Sequence, residues 1–185
     1  MDDSHDSLPT ESAEKSSSAA SQPVVVLLHL DGQELFAQSR ENLWQHLTDL
    51  TFLPSCMPDL ERVVASEAGR LVVRVRPGFS FVRGTLEITI ELFESYRPDI
   101  VRMRVRSKGV GSGVNLEMRF ALSDAGAAAP GQTCVAWAAD VLELSGLLKP
   151  VSRSLISAGA RKVIADACER LRTEIGNADS GATKP

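Results

Sequence analysis

The sequence predicts an α+β fold. A curved seven-stranded antiparallel sheet wraps around one long C-terminal helix, and two short helices follow the first strand. Three observations predict it. Residues 41–60 read as short helix and turn, broken by two prolines, and directly follow a single strand-like segment. Every other strand-like segment lies downstream and alternates with period two, which marks a sheet with one dry and one wet face. The chain then ends in an apolar stripe at helical spacing; a helix of about 25 residues would run nearly 40 Å at 1.5 Å per residue, and only a strongly bent sheet could hold it. A sheet curled around a helix leaves a cavity between them.

The elements follow in order. Residues 24–37 are extended, and the apolar start from Val24 to Leu30 suggests burial on both faces. Ser39 can cap a helix over 40–48, with Glu41 and Asn42 in its first turn and Leu43, Trp44 and Leu47 as its apolar stripe. Asp49 can cap a second short turn, which Pro54 and Pro58 end. Residues 60–66 and 69–76 form a hairpin around Glu67-Ala68-Gly69, and Pro77-Gly78 marks a turn or bulge. Residues 81–92 alternate Val82, Leu86, Ile88 and Ile90 against Arg83, Thr85, Glu87, Thr89 and Glu91. Residues 100–107 set Val101, Met103 and Val105 against Arg102, Arg104 and Arg106. Residues 114–122 set Val114, Leu116, Met118, Phe120 and Leu122 against Asn115, Glu117 and Arg119. The last strand, 133–144, turns Val135, Trp137, Ala139 and Val141 inward. The long helix spans 149–175, and Gly159 in its middle implies a close approach by a strand or ligand at Ala158-Gly159-Ala160.

One domain is expected over 24–176. Residues 1–23 and 177–185 read as disordered tails, because they cannot bury enough apolar surface to offset the entropy of ordering. The formal net charge of −4 is uneven. Residues 1–23 hold five acids and one base, which leaves 19 acids and 19 bases in the remainder. A near-neutral folded region argues against nucleic acid as a partner. Cys56, Cys134 and Cys168 are far apart and odd in number, a poor disulfide framework; they read as reduced thiols in a cytoplasmic protein. The start Met-Asp-Asp-Ser-His lacks the features of a signal peptide, and the longest aliphatic run, Val24 to Leu28, is too short to span a bilayer.

Catalytic signals are sparse. His46 and Asp49 lie three apart on a helix and could touch, yet no nucleophile accompanies them in a recognisable motif. No HExxH, Cys/His cluster or carboxylate pair has metal spacing, so no metal or cofactor is expected. The Gly109-Val-Gly-Ser-Gly113 run joins two strands, whereas a phosphate cradle needs a helix N-terminus behind it. Arg74, Arg76, Arg83, Arg102, Arg104, Arg106 and Arg119 share the outer sheet face with Glu87, Glu91 and Glu117. Cross-strand ion pairs on a solvated face are one reading. A docking surface for an acidic protein or anionic lipid is the other. The inner face is aliphatic, and Leu86, Ile88, Met103, Met118, Phe120, Trp137, Leu155 and Ile164 are the residues expected to bound a pocket for a hydrophobic ligand.

Trp44, then Asp49, then Cys56-Met57-Pro58, carry a resemblance to the carbon monoxide dehydrogenase G-subunit family of the SRPBCC (START, Bet v 1-like) superfamily. Asp59 stands where that family usually has Gly. Val75-Arg-Pro77, Phe81-Val-Arg-Gly84, the Gly109–Gly113 hairpin, Gly146-Leu147 and Leu155-Ile156 extend the resemblance over about residues 24–175. It implies a helix-grip fold and a noncatalytic module that binds a lipid, isoprenoid or quinone and assists a redox enzyme. The superfamily also holds cavity-based cyclases and hydratases, so an enzyme remains an alternative, as does a docking protein with a filled core. The family's Phe-rich last turn is absent from Ala167–Arg172 and the tail is short and polar, so at most peripheral membrane contact is expected.

Overall fold

The computed structural model describes residues 25–78, 84–127 and 129–181. Seven antiparallel strands form one sheet in the order β1-β7-β6-β5-β4-β3-β2. They are β1 (Leu28–Phe36), β2 (Leu60–Glu67), β3 (Arg70–Val75), β4 (Leu86–Tyr96), β5 (Ile100–Gly109), β6 (Ser112–Asp124) and β7 (Thr133–Gly146). Strands β2 to β7 make successive neighbours, and β1 returns to pair with β7, Leu28 opposite Val141 and Phe36 opposite Thr133. Helix α1 (Arg40–Thr48), a 3-10 turn (Leu53–Cys56) and the long helix α2 (Arg153–Gly181) complete the chain. This is the expected α+β helix-grip architecture.

Local chemistry explains the boundaries. Ser39 Oγ accepts the Asn42 amide at 3.3 Å and starts α1 where expected. Asp49 Oδ1 then accepts the Thr51 amide at 2.8 Å, the Thr51 hydroxyl at 2.7 Å and the Phe52 amide at 3.3 Å, turning the chain into the 3-10 segment. The last helix starts at Arg153 rather than at 149. Pro150 disfavours a helical Lys149, and Ser152 caps the new start by accepting the Leu155 amide at 3.4 Å. The helix also runs to Gly181, past the boundary at 177. Strand β4 begins at Leu86, and Phe81, Val82 and Arg83 lie outside the described residues, as do residues 1–24 and 182–185. Val25 and Val26 are exposed, so burial on both faces does not hold there; β1 begins only at Leu28.

The core is dense at one end. Phe36, Leu43, Leu47, Leu50, Leu71, Val73, Val101, Leu171 and Ile175 are all buried where α1, the 3-10 turn and the C-terminal half of α2 meet the sheet. Arg172 anchors that half to β1. It pairs with Glu34, donates to the Leu35 carbonyl at 3.3 Å, and stacks 4.8 Å from the Phe36 ring. Arg161 adds a bond to the Asp31 carbonyl at 3.0 Å.

Candidate functional site

Toward the hairpin end, the concave face is hollow. Leu86, Ile88, Val105, Leu116, Met118 and Phe120 project inward yet stay only partly buried. The opposing stripe of α2 reads Ile156, Gly159, Ala160, Val163, Ile164, Ala167, Cys168 and Leu171. That spacing is one helix face, and three of its members are Gly or Ala. Small side chains on the helix and a curved sheet opposite cannot fill the space between them. A cavity of ≈ 430 Å³ results.

Six of the eight predicted residues line it: Leu86, Ile88, Met103, Met118, Phe120 and Ile164. Trp137 faces inward but its indole fills a different space. It is buried against Leu30 and Ala139, packed by Phe120, Ala160 and Ile164, and seated over Gly32 of β1. Leu155 does not face inward. It lies in the first turn of α2 and is 46% exposed; its neighbour Ile156 takes the inward position. Sequence reasoning missed Leu53, Met57, Leu144 and Leu148, which line the cavity from turns and the end of β7. Pro58 and Asp59 line it too. Alternation along strands carries no signal for such positions.

Among the described residues, the ionisable side chains lining the cavity are Asp59, Cys56 and Cys168. Burial pushes the Cys168 thiol up to about 11, with Glu34 adding to the shift. Burial also raises Cys56, against a lowering contribution from its contact with Ser55. Both thiols therefore stay protonated at neutral pH and behave as small apolar groups. Asp59 has φ +57°, the left-handed region that Gly adopts without strain, which explains why Gly is usual here; Asp tolerates it better than most residues. Its Oδ2 accepts the Gly78 amide at 3.3 Å.

Other candidates resolve into structure. His46 does not bond to Asp49: its Nδ1 lies 2.8 Å from the Asn42 carbonyl and its ring meets Phe52 edge-on at 4.5 Å. Trp44 donates to the Ile100 carbonyl at 3.4 Å and carries Arg97 on its ring face. The outer arginines are paired with glutamates. Arg102 meets Glu94 at 2.5 Å, Arg104 meets Glu117 at 2.6 Å, and Arg106 meets Glu91 at 3.2 Å. Arg74 and Arg76 pair with Glu87 and Glu61, while Arg119 is exposed opposite Arg102. Among the described residues, no group of three His, Cys, Asp or Glu side chains could hold a metal ion. No helix among them is long and apolar enough to cross a membrane.

Known structures share this architecture. A conserved protein from Geobacillus kaustophilus superposes with a TM-score of 0.74 at 18% identity, covering 82% of this chain and 97% of its own. A START superfamily protein from Mycobacterium smegmatis gives 0.60 at 14% identity, covering 81% and 98%. At these identities the likeness is one of fold. Among curated proteins, none matches this chain in sequence. The family model of the carbon monoxide dehydrogenase G subunit (CoxG) matches residues 32–176, and on that match, together with the START-like fold, the chain belongs to the CoxG family.

Proposed function

We propose that this chain is a noncatalytic binding module for a hydrophobic small molecule (a lipid, isoprenoid or quinone) and that it serves a redox enzyme. The carrying observation is the ≈ 430 Å³ cavity walled almost wholly by aliphatic side chains. Small-molecule sites span roughly 300–1,000 Å³, and this one falls in that range. An unfilled apolar cavity forfeits dispersion contacts, at about 24 cal/mol per Å³ in well-studied cores, so a resident hydrophobe would stabilise the fold. A charged or strongly polar ligand would lose its hydration and find, among the described residues, only Asp59, Ser107 and Ser112 as polar side chains in the lining. Among the described residues, the lining holds no acid–base pair to perform a reaction. Service to a redox enzyme is supported by the name of the family, which refers to carbon monoxide dehydrogenase.

Native mass spectrometry of protein purified from its own host should show a co-purifying hydrophobe. The purified protein should also take up a fluorescent lipid or quinone analogue. Met118→Lys or Ile88→Lys should abolish uptake while circular dichroism still shows the fold. Absence of both a resident molecule and uptake would leave the filled-core alternative standing.

A further inference from the structure

We propose that the apolar cavity opens beside Asp59 into a polar vestibule, and that the joined site selects a single-chain amphiphile whose head donates hydrogen bonds, a hydroxyl or an ammonium, over one with a carboxylate or phosphate head. The selection rests on the cavity's holding a hydrophobe, as proposed, and adds which head that molecule carries. A second hollow, of ≈ 580 Å³, lies between the turn before β2 and one flank of α2. It shares Pro58, Asp59 and Val163 with the apolar cavity, so the two hollows meet along one wall.

Helix α2 serves both. Its apolar face stands over the cavity, and Lys162, Asp166, Glu169, Arg170 and Glu174 recur at three- and four-residue spacing on the adjoining flank, which lines the vestibule. Lys162 and Asp166 satisfy each other at 2.6 Å. That leaves three carboxylates, Asp59, Glu169 and Glu174, against the single cation Arg170, and none of these four enters an ion pair among the described residues. An anionic head would meet an excess of its own sign there, while a head that donates would meet acceptors.

Asp59 sits at the junction. Its backbone, at φ +57°, lies in the left-handed region, and a non-glycine residue held there beside a cavity is the kind of outlier from which a functional role is inferred. The side chain is exposed, and its bond from the Gly78 amide at 3.3 Å is the one it makes among the described residues. A carboxylate offers about four acceptor sites, so capacity remains for a hydroxyl or ammonium at the end of a chain lying in the cavity. The charge of Asp59 also acts on Lys162 across the vestibule.

Displacement of a fluorescent hydrophobe from the full chain tests this, with dodecylamine, dodecanol and dodecanoate as probes at neutral pH, in low salt and below their micelle concentrations. Amine and carboxylate heads are both charged and share one chain, yet the amine should displace at about tenfold lower concentration, the scale of one hydrogen bond to a charged group. Asp59→Gly, which suits the left-handed backbone, should leave Tm unchanged or higher. It should cut the amine's lead to about threefold or less and weaken the alcohol several-fold, because the acceptor at the junction is gone. A carboxylate that displaces as well as the amine, or a lead that Asp59→Gly leaves intact, would overturn the proposal and leave the cavity's binding of hydrophobes standing. No uptake of the fluorescent hydrophobe at all would overturn both.

Discussion

Gly32 and Trp137 compete for one space. A Cβ on Gly32 would sit 2.6 Å from the indole of Trp137, a buried ring wedged between β1 and α2. Overpacking of this kind costs about 1–3 kcal/mol, so Gly32→Ala should lower stability by that amount in chemical denaturation. His29 is a contrasting case on the surface. Its bond to Asp140, 2.6 Å away, raises its pKa above 6.5, against desolvation and with the charges of Asp140 and Asp31 assisting. Because the folded value is raised, the stabilisation is complete below the unfolded value near 6.5 and fades as pH rises through the folded one. NMR titration should place the His29 midpoint above 6.5, and Asp140→Asn should return it toward that value. An unshifted midpoint in the parent chain would refute the pairing. His29 and Gly32 both lie on β1, where the sequence shows only alternation; their partners sit more than 100 residues away on β7, so neither role was legible.

At the scale of elements, α2 shows how one helix does two jobs. Its C-terminal half buries Leu171 and Ile175 in the dense core, while the half from Ile156 to Ala167 stands over the cavity with small side chains. The Ala158-Gly159-Ala160 run predicted a close approach by a strand or ligand; Gly159 and Ala160 line the cavity, and Ala160 packs against the Trp137 cluster. Gly159→Ala should raise stability by up to about 1 kcal/mol, since Gly is a poor residue for a helix interior. Gly159→Leu should instead occupy the cavity and block uptake of a fluorescent hydrophobe, read by titration. Uptake unaffected by the leucine would mean that hydrophobes bind elsewhere. The helix pair after β1 was readable because its signals are local: a serine cap, an aspartate turn and two prolines act on their immediate neighbours. The start of α2 was misplaced because helical periodicity continues through Val151 even though Pro150 and the Ser152 cap set the boundary.

For the whole molecule, the arginine-bearing face is a surface of mutual neutralisation. Arg102, Arg104 and Arg106 each meet a glutamate, and Arg104 also lies 5.0 Å from the Phe93 ring. Exposed pairs of this kind contribute at most about 1 kcal/mol each. The triple Arg→Gln variant should therefore keep its fold in thermal denaturation and its uptake of hydrophobes. Collapse of the fold would show that these side chains do more than neutralise their partners.

The order of elements, the two faces of each central strand and the family were legible in the residues, because alternation, capping and turn chemistry are short-range and leave a mark on neighbouring residues. The amino-acid sequence also indicated the aliphatic wall of the cavity, six of whose predicted residues line it. That this wall encloses open space, that Trp137 is used in packing and that Leu155 points outward emerge only once the sheet and α2 are packed together. A cavity is a difference between the volume that the sheet's curvature encloses and the volume that side chains fill. Curvature accumulates over all seven strands and the placement of α2, so no local pattern records it.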